Sequence, residues 1–215
     1  MHFSKKLILA AVACLAPVVG YAAPVTSNPS LSVDGLNFNN FTCSLSRGGV
    51  LATPYNCGQI NVNTITQPGM GISFTSGFTA GAGFDDAMIS YNVSSAAGIS
   101  SIGLDFNGTF LGLAISSVTE TAYSGGKQVG FAQVSCSLLG CSRTDTIALN
   151  GAYNNLLVKK DIQVAAALGV AQASYIDQTF TTDAPEPGST ALLGSGLLAV
   201  AGLLRRRSIL GMFKK

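Results

Sequence analysis

Short segments in which apolar and polar residues alternate recur along most of this chain. Residues 89–93 and 102–106 alternate without a break. A period of two places one set of side chains on a core face and the other set in water, which is typical of a half-buried β-strand. Shorter segments with the same pattern lie at 31–33, 60–63, 72–74, 111–115, 129–131, 146–149 and 162–164. The pattern predicts an all-β domain.

Turn-forming residues separate these segments, at 47–49, 67–69, 107–108, 124–126 and 150–151. The Asn-Gly pairs at 107–108 and 150–151 favour tight hairpins. Regular short strands with such turns predict an antiparallel β-sandwich, either jelly-roll-like or immunoglobulin-like. One stretch, 164–173, is compatible with a helix and equally with part of a final hairpin.

The N-terminus has the three parts of an export signal. A short basic start is followed by the apolar run 7–19 and then by small residues. This pattern predicts a signal peptide over residues 1–22. Cleavage after Ala22 is favoured, because a cut after Ala23 would leave Pro24 directly behind it. A retained anchor is disfavoured by the 13-residue length of the apolar run. Lipid attachment at Cys14 is disfavoured because the residues before it form a poor lipobox.

The C-terminus, residues 184–215, carries a second segment with a membrane pattern. Its motif residues are Pro185, Glu186 and Pro187, followed by an uncharged stretch and then by Arg205, Arg206 and Arg207. The uncharged stretch, 188–204, is at the lower end of the length that spans a bilayer, so one transmembrane helix is predicted there. The arginines mark its cytoplasmic side.

This order of tripeptide, apolar helix and arginine cluster, at the end of an exported chain, resembles the PEP-CTERM sorting signal. The resemblance covers about 30 residues, and the chain continues over 208–215, past the point where the family usually stops. It implies that an exosortase recognises and cleaves the tail. It also implies a Gram-negative host that makes extracellular polysaccharide, with the protein briefly anchored in the inner membrane and then placed at the cell surface or outside. The alternative is an ordinary tail anchor without processing.

One domain, residues 23–183, is predicted between the two signals. It contains five basic and nine acidic residues, which gives a net charge of −4. Because a nucleic-acid binder needs a basic surface to displace counterions from phosphates, we expect no nucleic-acid partner. The stretches 31–42 and 87–93 loosely resemble PEP-CTERM proteins that are described by their sorting tail alone. That second resemblance implies no activity.

Four cysteines remain once the signal peptide is removed, namely Cys43, Cys57, Cys136 and Cys141. An even number in an exported domain indicates two disulfides. Three pairings are possible, and we favour the local ones, Cys43 with Cys57 and Cys136 with Cys141. A four-thiolate zinc site is the alternative. It is disfavoured because Cys-x-x-Cys spacing is absent and an oxidising compartment competes for the thiols.

The predicted domain lacks the residues of common catalytic sites. The sole histidine, His2, lies in the signal peptide. No Ser-His-Asp set and no Walker-type phosphate loop remain, so we expect no catalytic residue, no enzyme activity and no cofactor. Asp105 and Glu120 are the candidates for the two catalytic carboxylates of a glycosidase, but nothing in the sequence brings them together.

Asp85 and Asp86 are weak candidates for calcium ligands. They are expected in a Gly-rich loop before a strand, where calcium takes carboxylate and carbonyl oxygens. The plainer interpretation is a solvated loop that also protects a sheet edge. No metal site is therefore predicted.

The sequence is compatible with a protein that binds sugars without catalysis. Tyrosine rings can stack on sugars while asparagine side chains supply hydrogen bonds. The tyrosines of the domain are Tyr55, Tyr91, Tyr123, Tyr153 and Tyr175. The leading hypothesis is a structural or adhesive protein of the extracellular matrix, associated with exopolysaccharide. The alternative is a carbohydrate-binding module, possibly calcium-assisted, and a glycan hydrolase is third.

Overall fold

The computed structural model describes residues 22–67 and 69–183, and these ranges contain nine strands and two short 3₁₀ helices. The strands are β1 (Ala23–Pro24), β2 (Leu31–Val33), β3 (Leu36–Thr53), β4 (Asn61–Ile65), β5 (Gly71–Phe106), β6 (Thr109–Ser124), β7 (Lys127–Ser137), β8 (Gly140–Ser142) and β9 (Thr144–Thr182). The 3₁₀ helices span Val25–Ser27 and Cys57–Gln59. The predicted antiparallel β-sandwich is confirmed, and 164–173 belongs to strand β9.

The strands form one hydrogen-bonded network that folds into two layers, because β5 and β9 each run through both. The first layer has the order β2, β3, 78–94 of β5, 155–173 of β9, β6, β7 and β8. The second layer has the order β1, β4, 71–75 of β5, 175–182 of β9, 99–106 of β5 and 144–153 of β9. The shared strands tie the layers together covalently at their corners.

β5 changes layer at two interruptions of its register, between Thr75 and Phe78 and between Ser94 and Ile99. Gly98 lies in the second interruption with a φ of 80°. Glycine adopts this left-handed conformation without the penalty that a Cβ brings. A Cβ at Gly98 would also lie 2.8 Å from the Cβ of Ala152. The bend therefore depends on glycine.

Three of the predicted turns are not hairpins, and the first of them, at 47–49, lies inside β3 and pairs with β5. Asn107 and Gly108 lead from β5 to β6, and both of these strands pair with β9 rather than with each other. The pair at 150–151 lies inside β9. The turn at 124–126 does close a hairpin, with Ser124 opposite Lys127. Pairing between distant strands thus overrides the Asn-Gly signal.

Aromatic side chains fill the centre of the sandwich. Phe38 packs against Phe180 of the opposite layer, with ring centroids 5.6 Å apart. Tyr91 stacks on Phe41 at 5.3 Å and contacts Phe74 at 5.8 Å. All five are buried. Full burial of one such side chain contributes about 1.5–3 kcal/mol, so this cluster is a main source of stability.

The described part of the chain contains two disulfides, with the local pairing favoured from sequence. Cys43 of β3 is joined to Cys57, which begins the second 3₁₀ helix. Cys136 of β7 is joined to Cys141, its cross-strand partner in β8. Both bonds connect elements near in sequence, and they leave none of these thiolates for zinc.

The predicted signal peptide, apart from Ala22, and the predicted transmembrane helix 188–204 lie outside the described residues. Within 22–67 and 69–183, no helix is long and apolar enough to cross a membrane. The described chain ends beside the second bend of β5, the one that contains Gly98. There the Asp183 amide donates to the Gly98 carbonyl at 3.0 Å. The sorting tail therefore begins at that end of the sandwich.

Candidate functional site

The outer face of the first layer carries a row of side chains that crosses four strands. Asn39 of β3 lies opposite Asn92 of β5, and Asn92 lies opposite Leu157 of β9. Leu157 in turn lies opposite Tyr123 of β6. Neighbours in sequence such as Tyr91 are buried, so the period of two directs the row to the solvent side.

This row forms part of a cleft of about 440 Å³. The polar residues that line it are Asn39, Asn92, Ser94, Tyr123, Asn155 and Lys159. Leu156 and Leu157 of β9 and Gly125 and Gly126 of the β6–β7 turn form the rest of the lining. Each carboxamide has an acceptor oxygen and two donor hydrogens. A surface of this kind offers both partners that a sugar hydroxyl needs.

Lys159 provides the charge of the cleft. Its Nζ lies 5.3 Å from the centroid of the Tyr123 ring, within cation–π range. No residue that lines the cleft is acidic. Over the described ranges, Lys159 forms no salt bridge with a carboxylate. The cleft thus combines one aromatic ring, three carboxamides and one ammonium group.

The five tyrosines proposed from sequence are not brought together. Tyr123 lines the polar cleft. Tyr91 is fully buried in the aromatic core. Tyr55, Tyr153 and Tyr175 lie outside the cleft. One tyrosine of the predicted set therefore remains as the candidate stacking platform of this site.

A polar cluster lies inside the sandwich, where Glu120 of β6 is the cross-strand partner of Lys160 of β9. Lys160 Nζ donates to Glu120 Oε2 at 2.6 Å and to Gln178 Oε1 at 2.7 Å. Gln178 Nε2 donates to Glu120 Oε1 at 2.8 Å. All three residues are 0% exposed. Buried charges are tolerated when they are paired and hydrogen-bonded in this way.

Burial disfavours the charged form of both members of this pair. Desolvation raises the pKa of Glu120, and the nearby Lys160 ammonium opposes that rise. Desolvation lowers the pKa of Lys160, and Glu120 opposes that fall. Desolvation also raises the pKa of Tyr91, with the Glu120 charge adding to the rise. The interior therefore favours neutral side chains over ions.

Asp105 and Glu120 do not form a carboxylate pair. Glu120 points into the core, where Lys160 and Gln178 satisfy it. Asp105 is half-buried on the outer face of the second layer, since its neighbours Leu104 and Phe106 are the buried ones. Desolvation and the charge of Asp177 raise the pKa of Asp105. The two carboxylates lie on opposite sides of the sandwich wall and cannot flank one glycosidic bond.

The expected loop at Asp85 and Asp86 is wrong, because both residues lie within strand β5. Asp85 points into the core, is 0% exposed, and neither of its carboxylate oxygens has a hydrogen-bond partner among the residues that the structure describes. Asp86 points outward, and burial together with the neighbouring Asp86 carboxylate raises the pKa of Asp161 to about 6. Among the residues described, no three His, Cys, Asp or Glu side chains gather as a metal site. Two carboxylates on opposite faces cannot bind one calcium ion.

We expect Asp85→Asn to stabilise the protein at neutral pH. Burial raises the pKa of Asp85 from 3.8 to about 6. The folded state therefore keeps a proton that the unfolded chain releases. The stabilising contribution of this carboxyl is complete below pH 3.8 and is lost as the pH rises through about 6. Removing the charge should add roughly 1–2 kcal/mol at pH 7.

Urea unfolding of wild type and Asp85→Asn between pH 3 and 8 measures this effect. The two curves should coincide below about pH 3.8, separate as the pH rises from there to about 6, and stay apart above it, while the contribution of Asp161 remains in both. Asp34→Asn, at an exposed position, is the control and should change little. A parallel displacement of the two curves at every pH would contradict the assignment.

A second concave surface, of about 770 Å³, is apolar. Its exposed large side chains are Phe84, Leu113, Ile115, Leu138 and Leu139. Exposed apolar surface of this size suits a partner with apolar groups and offers little to a hydroxyl-rich sugar. The polar cleft is therefore the better candidate for a carbohydrate site.

Sequence reasoning missed Asn39, Asn92 and Lys159, because cross-strand neighbours are set by a register that one strand does not encode. It also missed the buried Lys160. A signal for that residue was available. Val158 and Ile162 flank it at the period of two, which directs all three side chains to the core face.

The family model described as the PEP-CTERM protein-sorting motif matches residues 183–207. The matched range contains the Pro185-Glu186-Pro187 motif, the apolar segment and the arginine cluster. The chain therefore carries a PEP-CTERM sorting motif. The motif indicates an exported protein with transient membrane anchoring and implies processing by an exosortase. No curated protein matches the chain significantly in sequence.

Several solved structures are weakly similar. TmCBM61 in complex with β-1,4-galactotriose matches with a TM-score of 0.34 and 10% identity, over 65% of this chain and 88% of that chain. The enzymatically active domain of bacteriophage CBA120 tailspike protein 4 matches with a TM-score of 0.32 and 12% identity, over 66% and 19%. Carbohydrate-Binding Module CBM36 in complex with calcium and xylotriose matches with a TM-score of 0.23 and 16% identity, over 65% and 99%. Similarity this weak says nothing about ligands.

Proposed function

We propose that this exported chain, which carries a PEP-CTERM sorting tail, is a non-catalytic surface protein whose β-sandwich binds exopolysaccharide. Its role is structural or adhesive, because it holds extracellular polysaccharide at or near the cell surface. The observation that carries the proposal is the polar cleft over the row formed by Asn39, Asn92, Leu157 and Tyr123.

The chemistry of this cleft fits a sugar chain. A sugar ring has an apolar face for the Tyr123 ring and equatorial hydroxyls for neighbouring carboxamides. Asn92 and Asn155 lie on adjacent strands of one sheet, so their amide groups are held by the backbone rather than by a loop. A site on strands is more rigid than a site on loops, which reduces the entropy lost when a flexible polymer binds.

The position of the cleft also suits a tethered protein. Ser94 and Asn155 are cross-strand partners next to the β5 bend. The described chain ends at the same bend, through the hydrogen bond from Asp183 to Gly98. The cleft and the start of the sorting tail therefore lie at the same end of the sandwich, and a polymer in the cleft would be kept close to the point of attachment.

The absence of catalysis is part of the proposal. Glu120 is enclosed in the core with Lys160, and Asp105 lies on the other side of the wall. No acidic side chain lines the polar cleft, so a bound sugar would meet neither an acid nor a nucleophile there. Calcium is left out of the proposal because Asp85 and Asp86 point to opposite faces.

Tyr123→Ala is expected to weaken binding to the exopolysaccharide of the producing bacterium roughly tenfold, since the variant loses the stacking face. Affinity electrophoresis or calorimetry with the purified polysaccharide measures the change. Tyr175→Ala removes a tyrosine outside the cleft and should bind like wild type. Unchanged binding by Tyr123→Ala would place the sugar elsewhere. Turnover of the polysaccharide by wild type would refute the non-catalytic role.

A further inference from the structure

The buried cluster contains the three groups that an amide exchange reaction needs. Lys160 has the amine, Gln178 has a carboxamide, and Glu120 has a carboxyl that touches both. We propose that Lys160 and Gln178 become joined by an intramolecular isopeptide bond, formed with release of ammonia and with Glu120 transferring the protons. This modification is independent of the sugar site.

The geometry places the amine beside the carboxamide. Lys160 Nζ donates to Gln178 Oε1 at 2.7 Å, and this oxygen is bonded to Cδ, the carbon that the amine would attack. The carboxamide is held from its other end, because Gln178 Nε2 donates to the Gly103 carbonyl at 3.1 Å and to Glu120 at 2.8 Å. Fixing both partners at contact distance replaces a bimolecular encounter with an intramolecular step.

Glu120 is placed to act on both nitrogens. Its Oε2 lies 2.6 Å from Nζ, the attacking nitrogen, and its Oε1 lies 2.8 Å from Gln178 Nε2, the leaving nitrogen. One carboxyl can therefore take a proton from the amine and give a proton to the departing group. This is general base and general acid catalysis by a single residue.

The surroundings favour the reactive protonation states. Burial shifts the pKa of Lys160 down and the pKa of Glu120 up, so both shifts are in the direction of the neutral amine and the neutral carboxylic acid that the reaction uses. Nζ lies 6.0 Å from the Phe74 ring, and all three side chains are 0% exposed. A dry interior keeps water from competing for the carboxamide.

The reaction balances as follows. The neutral Lys160 amine adds to Gln178 Cδ, which gives a tetrahedral intermediate. Glu120 donates its proton to the former amide nitrogen and accepts one from the attacking nitrogen. The Cδ–Nε2 bond breaks, ammonia leaves, and a secondary amide links Nζ to Cδ. Glu120 is protonated at the start and at the end, and no oxidant or cofactor takes part.

The link would join the two layers of the sandwich. Lys160 lies in the part of β9 that belongs to the first layer, and Gln178 lies in the part that belongs to the second. The bond would close the bend of β9 into a covalent ring. A protein exposed outside the cell would then resist pulling and proteolysis at this corner, because the two layers could no longer separate there.

Peptide mapping of the full chain, expressed with both signals and recovered after export, tests the proposal. Trypsin cuts after lysines with a free amine, so a linked Lys160 should block cleavage between Lys160 and Asp161. Further cleavage after Tyr175 should release two peptides joined through Lys160 and Gln178, lighter than their summed mass by one ammonia. Complete cleavage after Lys160, with an unmodified Gln178 peptide, would overturn the proposal. Conversion of Gln178 to glutamate by hydrolysis would overturn it as well.

Two variants examine the role of Glu120. Glu120→Gln cannot transfer the protons, so the fraction of linked chain should fall to near zero. Tyr91→Phe removes a nearby buried hydroxyl that has no hydrogen-bond partner within 22–67 and 69–183, and it should keep the link. A fully linked Glu120→Gln protein would overturn the assigned role of Glu120. The wild-type map remains decisive even if Glu120→Gln fails to fold.

Discussion

In protein that has not formed the Lys160–Gln178 link, replacing Lys160 with methionine is expected to lower the free energy of unfolding by about 3–5 kcal/mol at neutral pH. The change removes the salt-bridge partner of Glu120. Glu120 is 0% exposed, and its Oε2 lies 2.6 Å from Lys160 Nζ. An unpaired carboxylate in the core is desolvated without the coulombic attraction to the ammonium group that offsets the cost of desolvation. The loss should be smaller at acidic pH, because protonation of Glu120 removes the uncompensated charge.

Urea unfolding of matched variants separates the contributions to this loss. Lys160→Met combined with Glu120→Leu should recover most of the stability, since both charges are gone. Gln178→Met cannot form the proposed link and also loses the Gln178 hydrogen bonds to Lys160, Gly103 and Glu120, so its loss of stability is an upper bound on the effect of the bond. Lys159→Met, at the exposed neighbouring lysine, should stay within about 0.5 kcal/mol of wild type. A Lys160→Met protein as stable as wild type would contradict the importance of the pair.

Removing the Cys43–Cys57 disulfide by a double substitution to alanine is expected to cost about 3 kcal/mol in the chain-entropy account. The bond spans a sequence separation of 14 and fixes the second 3₁₀ helix to β3. The unfolded chain gains freedom when that loop opens, so the folded state loses relative stability. Urea unfolding under non-reducing conditions measures the difference.

The second disulfide supplies an internal comparison. Cys136 and Cys141 are only 5 residues apart, so their loop restricts the unfolded chain less. The same double substitution there should cost about 2 kcal/mol. A larger loss from the short loop than from the long one would show that native contacts, and not loop entropy, dominate. Both substitutions lower the free energy of unfolding of a domain whose stability also depends on the aromatic core.

Much of the fold was accessible from local pattern. The period-two segments at 89–93 and 102–106 are strands, and the buried members Ile89, Tyr91 and Val93 lie on the face that alternation predicts. The sandwich class follows, because a sheet with one apolar face must bury it against a second layer. The local disulfides were also predictable, since short separations close at low entropic cost.

The layer changes of β5 and β9 were not accessible in this way. Alternation continues through a bend, so it cannot tell one 36-residue strand from several short ones. The Asn-Gly pairs likewise describe a local backbone preference, whereas Asn150 and Gly151 lie inside β9 between Ala148 and Tyr153, which pair with Ser101 and Ile99 of β5. Long-range hydrogen bonds outweigh a turn preference of this size.

The sequence by itself determined the features that depend on neighbouring residues alone. It set the export and sorting pattern at the two ends, the β period, the cysteine count and the absence of histidine from 23–183. Tertiary structure alone decided which polar residues meet. It placed Tyr123 in one row with Asn39 and Asn92, and it brought Gln178 to Lys160 from the opposite layer. The reason is physical, because register and layer packing depend on the summed burial of distant strands, and a site built across four strands exists only after those strands have paired.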